Sequence, residues 1–123
     1  MGGVEDRTQR IVFDGWQPAL LNILLRLHPH ARNRRLKTDA QVIGLAVRLQ
    51  GIRGACGPRK VSLVVRSAKG RTPPDPDALW KGLLDGLVHA GALMNDDWKH
   101  LVLGSVTYER APRKGLVVVL EDV

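Results

Sequence analysis

A single cysteine, Cys56, stands in 123 residues. It excludes an internal disulfide, and a lone thiol lacks the partners of a zinc site. No apolar run approaches the ~20 residues that span a bilayer. The opening MGGVEDRTQR has no apolar h-region, so no secretory signal is expected. A basic amphipathic helix with an aromatic face, the mark of a membrane-surface segment, is not found. Internal repeats, low-complexity tracts and interdomain linkers are also missing. These absences predict one domain over residues 1–123, in a reducing cytoplasm and without a membrane partner.

Acidic residues are scarce as well. Lys and Arg number 19 against 12 Asp and Glu, a net charge of +7. Such a surface asks for an acidic partner, and with membrane binding disfavoured, nucleic acid leads. The hydrophobic content of 44% and its regular periodicity argue for a packed core rather than disorder.

The periodicity gives an element order of β-α-β-α-β-β with an extra short helix. A strand at 10–14 closes at Gly15 and Pro18, and the apolar run 17–27 forms the short helix. The basic stretch HPHARNRRLK at 28–37 reads as a loop. A helix follows over 38–50, with Thr38 as N-cap, Gln41 at the capping-box position and Gly51 as its stop. A strand spans 60–66, a second long helix 77–90 ends at Gly91, and strands cover 100–109 and 115–121. The last run, LVVVL, is apolar at every position, so it belongs at a doubly buried or interfacial place. The expected fold is mixed α/β in two layers, with helices on one face of a small mixed sheet.

Against the basic background, the segment DPDALWKGLLDGLVHAGALMNDD concentrates acids. An Asp-Pro-Asp is most commonly a turn running into a helix N-cap. Here Pro74 and Pro76 hold Asp75 extended, and Asp77 opens the helix. Carboxylates at i and i+2 around a proline can converge on one cation, and hard oxygen ligands select Mg²⁺ or Mn²⁺ over zinc. Positions 77, 81 and 85 share a helix face. Lys81 therefore has two readings: an i,i+4 partner of Asp77 and Asp85, or a cation beside a metal that neutralises developing phosphate charge. Asp96 and Asp97 lie past the helix, roughly 21 Å away at ~1.5 Å per residue. Two chains packed with these helices antiparallel about a two-fold axis would bring the two acidic groups together, a geometry that points to a homodimer with composite sites.

This segment resembles the RusA family of Holliday-junction-resolving endonucleases, whose signature is D-x-D-N-xx-K, a helix ending in A-G, then a D-D pair. Asp75, Asp77, Lys81, Asp85, Ala90-Gly91 and Asp96 fall at matching spacings over residues 71–97. Ala78 stands where the family has Asn, and Asn95 where an Asp often stands. The resemblance implies a dimeric, Mg²⁺-dependent nuclease that cuts four-way DNA junctions. It further implies that Asp75, Asp77 and Asp96 ligate metal while Lys81 assists catalysis. In that light Arg32, Arg34, Arg35 and Lys37 become DNA contacts, and Lys69 and Arg71, which lead into Asp75, hold the scissile strand. The competing class is a non-catalytic basic DNA-binding module whose acids are structural caps. Trp80 and Trp98 are assigned to core or interface packing, Gly104 to a bulge or close backbone approach, and the His28-Pro29-His30 pair to no metal.

Overall fold

The computed structural model describes residues 8–123. The chain runs β1 (Thr8–Asp14), α1 (Leu21–Arg26), α2 (Pro29–Leu49), β2 (Arg59–Ala68), α3 (Pro76–His89), β3 (Leu101–Ala111) and β4 (Gly115–Asp122). One four-stranded sheet has the order β1-β4-β2-β3. The pairs β1–β4 and β2–β4 are antiparallel, whereas β2–β3 is parallel, with α3 as the crossover that a parallel pair requires. The expected mixed α/β fold in two layers is what forms.

Alternation along β2 sorts the sheet's faces. Val61, Leu63 and Val65 point to the helices, in register with Leu120, Val118 and Leu116 of β4. Ile11 and Phe13 of β1 join them, and Ile43, Val47, Leu79, Leu83 and Leu87 of α2 and α3 close the core from the other side. The LVVVL run is one of the two interior strands: Leu116, Val118 and Leu120 are buried under the helices, and Val117 is buried on the opposite face. Its flanking strands, rather than a second helical layer, cover it. Gly104 sits at a register shift in the β2–β3 ladder, and a Cβ there would stand 2.0 Å from the Ser62 hydroxyl. The strand glycine thus marks both a bulge and a close approach.

The largest departure from the sequence reading concerns α2. The stretch at 28–37 is helix, not loop, and α2 is 21 residues long. His28 is its N-cap, with Nδ1 accepting from the His30 amide at 3.3 Å, and Pro29 takes the first helical position, where a missing N–H costs nothing. Ala, Arg, Leu and Lys are all good helix formers, so propensity carries the segment although apolar periodicity is absent. Thr38 is consequently no N-cap, nor Gln41 part of a capping box. The Thr38 hydroxyl donates back to the Arg34 carbonyl at 2.9 Å, as mid-helix threonines do. The short helix α1 is likewise trimmed to Leu21–Arg26: residues 17–20 are outside any helix, and the N-cap Leu20 is extended. The Asp39 carboxylate, 1% exposed, fixes that approach by accepting from the Ala19 amide at 2.8 Å and from Arg35 Nε at 3.1 Å.

Helices α2 and α3 pack closely at Gly86, where a Cβ would lie 2.3 Å from Ile43 Cδ1. On the sheet's β1 edge the Gln50 side chain imitates a strand. It accepts from the Val12 amide and donates to the Val12 carbonyl, both at 2.8 Å, which satisfies groups an edge otherwise leaves open.

Arg59, 2% exposed, is the most connected buried cation among the described residues. Its Nε donates to Asp122 at 2.7 Å, and Nη1 donates to the carbonyls of Arg53 at 2.9 Å and Ala92 at 3.0 Å. Arg59→Met keeps the side chain's length but removes the donor to both carbonyls and to Asp122 Oδ1, leaving that carboxylate only its contact from Arg53 Nη2 at 3.3 Å. The expected loss is about 3 kcal/mol of unfolding free energy, read as a lower urea midpoint with unchanged slope. A midpoint equal to that of the parent chain would contradict the anchoring role.

Candidate functional site

Loop 69–75 and the first turn of α3 build the acidic site. The chain leaves β2, turns at Gly70 (φ +82°) and runs through Pro73, Pro74 and Pro76. Arg110 braces this loop by donating from Nη1 to the carbonyls of Ala68 (3.2 Å) and Arg71 (2.7 Å). Asp75 is the N-cap of α3, with extended φ and ψ and no side-chain capping hydrogen bond. Asp77 lies in the first turn. Both are exposed, and neither carboxylate is engaged by another described residue through a hydrogen bond or ion pair. They open on a cleft of about 750 Å³ between α1 and the segment 72–78, the end of the loop and the first turn of α3, which Leu21, Asn22 and Leu25 line from the far side. The helix N-terminus behind them favours negative charge, so the pair is tolerated there without a cation.

Thr72 and Pro74 also wall a second, adjoining cleft of about 460 Å³ that carries Arg71, Arg113 and Lys114. Arg113 is paired with Asp14 at 2.5 Å. Lys69 is exposed in the turn just before. The acidic and basic surfaces are therefore two sides of one proline-stiffened loop.

Tyr108 of β3 was not visible as part of this neighbourhood. Its phenol is held above the usual tyrosine value, first by burial and then by the negative charges of Asp75 and Asp77. These carboxylates are more than thirty positions away in sequence, and only the parallel β2–β3 pairing brings them near.

Lys81 pairs with Asp85 at 3.2 Å, the i,i+4 arrangement, rather than with Asp77. Both partners are substantially exposed, so the pair itself contributes little to stability. Asp96 is exposed in the loop beyond α3, and its backbone amide donates to Asn95 Oδ1 at 2.9 Å. The 14 residues of α3, about 21 Å long at ~1.5 Å per residue, lie between Asp75 and Asp77 at one end and the loop that carries Asp96 at the other. Among the described residues no group of three or more His, Cys, Asp or Glu converges to hold a metal ion. Asp97 has a local task. It accepts from the amides of Lys99 (3.1 Å) and His100 (3.2 Å) and meets His100 Nδ1 at 2.7 Å, closing the turn into β3. Trp80 packs against the core, but Trp98 is 84% exposed and belongs to no core.

The four cations in the N-terminal half of α2 divide into two groups. Arg32 donates to the carbonyls of Leu24 (2.9 Å) and Leu27 (3.4 Å), closing the end of α1, and Arg35 is tied to Asp39. Arg34 and Lys37 instead line an open cleft between α2 and α3 with His30 and His89. No helix among the described residues is long and apolar enough to cross a membrane.

The hydrogen bond from His100 is the main cause that draws the Asp97 carboxyl below the usual carboxylate range. A depressed value means that this group favours the folded turn above its unfolded pKa, and that the advantage disappears as pH falls through the folded one. His100→Ala should therefore move the Asp97 carboxyl titration to higher pH, followed by carbon-detected NMR. An unmoved titration would show that the imidazole is not the cause.

The chain matches no protein-family model and no curated protein sequence.

Proposed function

We propose that this chain is a Mg²⁺-dependent, structure-specific endodeoxyribonuclease that resolves four-way DNA junctions in recombination and repair, working in the cytoplasm as a homodimer. The observation that carries this reading is the Asp75-Pro76-Asp77 pair: two exposed carboxylates without protein partners, facing a cleft beside a basic surface. The donor set fits the proposed ion. Mg²⁺ is held by one or two carboxylates, keeps several waters and takes its remaining ligands from a substrate phosphate, so a triad within one chain is not required. Mn²⁺ fits the same oxygens.

When bound, Mg²⁺ supplies Lewis acidity at the scissile phosphate and lowers the pKa of water. The chain's own residues do the rest. Asp75 and Asp77 would hold the ion, and the flanking prolines remove the need to order the loop upon binding. Arg71 and Lys114 draw the strand against the other side of the loop by charge. Lys81, one turn beyond Asp77, exchanges its contact with Asp85 for the phosphate oxygens as negative charge develops there. Asp96, at the far end of α3, reaches the acidic pair of the partner subunit in an antiparallel dimer.

A non-catalytic DNA-binding module is the second reading. It is favoured by the helix N-terminus under Asp75 and Asp77, which stabilises carboxylates with no metal at all. Cleavage of a synthetic four-way junction with and without Mg²⁺ separates the two. Asp77→Asn should abolish cleavage, by at least about 100-fold, while junction affinity and folding are nearly retained. Wild-type turnover by Asp77→Asn would rule out the proposed role.

The composite site has its own test. Asp77→Asn chains and Asp96→Asn chains are each inactive in this scheme, yet their heterodimer contains one site with both lesions and one with none. Nicking of a labelled junction strand should therefore return upon mixing, once sedimentation has verified dimers and exchange. No nicking from verified heterodimers would place all ligands of a site within one chain.

A further inference from the structure

The open cleft between α2 and α3 has a composition that the acidic site does not explain. Its volume is about 580 Å³, and His30, Asn33, Arg34, Lys37, Asp85 and His89 are among its lining residues. His30, Arg34 and Lys37 fall at i, i+4 and i+7, one face of α2, while Asp85 and His89 are one turn apart on α3. The tight contact of Ile43 with Gly86 fixes the two walls relative to each other.

Four observations define its charge. The heads of Arg34 and Lys37 have no partner among the described residues, unlike those of Arg32 and Arg35. Asp85, the one carboxylate of the lining, is paired with Lys81. The His30 ring stacks on that of His28, with centroids 5.3 Å apart and planes 22° from parallel. Helix α1, which also packs on α2 and α3, has Arg26 as its single charged residue, and it lies outside the lining. The cleft therefore holds two permanent cations and two imidazoles, rings that gain a second N–H donor and a positive charge when protonated. Its donors (a guanidinium fork, an ammonium and ring N–H groups) suit the oxygens of a phosphate.

We propose that the α2–α3 cleft is a phosphate-binding site that grips the backbone of a nucleic-acid strand through Arg34, Lys37, His30 and His89, more tightly when the histidines are protonated. The occupant rests on the nucleic-acid reading above but not on the nuclease chemistry. Asp77, Lys81, Asp85 and His89 follow one another at four-residue steps along α3, so the cleft lies ~12–18 Å from the acidic pair. At ~3.4 Å per nucleotide along a duplex axis that is about four to five steps, enough for one strand to touch both.

Fluorescence anisotropy with a short labelled duplex, in a salt series near pH 5 and near pH 8, tests this. For the parent chain the slope of log Kd against log salt should be steeper at the lower pH by up to about two units. His30→Gln combined with His89→Gln should remove that difference. Arg34→Gln should reduce the slope by about one unit at both pH values. Histidine-ring NMR with pyrophosphate as probe adds a readout free of DNA: His30 and His89 should shift while His100 stays. If the chain binds duplex but the pH difference survives in the double variant, the cleft is not the site and the nucleic-acid reading stands. If the rings respond to pyrophosphate but no duplex binds at either pH, the occupant named here is wrong and the nucleic-acid reading falls with it.

Discussion

One buried guanidinium holds the end of this fold where loops meet. Arg59 sits at the start of β2 and reaches the end of β4 through Asp122, the loop after α2 through the Arg53 carbonyl and the loop after α3 through the Ala92 carbonyl. Its own amide donates to the His100 carbonyl at 3.0 Å, which adds the approach to β3. A charge this deeply buried is tolerated only when its donors are satisfied. Segments far apart in sequence must therefore be in place together, and the position of the chain after α3, where Asp96 and Asp97 stand, follows from that requirement.

From this anchored end, α3 works as a spacer. Its C-terminus leads through Ala92, bound by Arg59, to the Asp96 loop, and its N-terminus carries Asp75 and Asp77 into a cleft made with α1. Between them Gly82 and Gly86 keep the helix close to its neighbours, the first beside Ala19 and Pro18 and the second under Ile43. A rigid rod with acidic groups at both ends cannot bring them to one point by bending. The same close contact with α2 that prevents this also shapes the basic cleft near His89. Opposite charges are thus arranged along one helix axis rather than mixed over the surface.

Much of this was legible in the sequence, and the failures have physical causes. Alternating apolar residues in β2 and the continuous run in β4 identify strands because burial on one face or on two leaves different patterns. The helical placement of Asp77, Lys81 and Asp85 also follows directly from spacing. The basic half of α2 was misread because periodicity registers only apolar residues, while Arg34 and Lys37 are helical by propensity and by the cap at His28. Asp39 reads as an ordinary polar helix residue, yet it is buried, because its partner is the Ala19 amide twenty positions away. Tyr108 escaped for the same reason: its neighbours come from another strand's loop. The division of labour between Arg32 and Arg34 is likewise invisible in a run of similar residues, since only tertiary carbonyls distinguish them.

The strand order has a consequence for how the chain matures on the ribosome. The first strand and the second do not pair with each other; each pairs with β4, which lies between them and follows both in sequence. Until residues 115–122 have emerged, β1 has no ladder partner, and β2 can pair only with β3, on its other side. The helices, by contrast, can form locally as they appear. Nascent chains should therefore hold a half-built sheet with two apolar edges exposed, and the late insertion of Leu116, Val118 and Leu120 would convert it to the closed core in one cooperative step. Vulnerability to aggregation is then concentrated in the interval just before that strand is released.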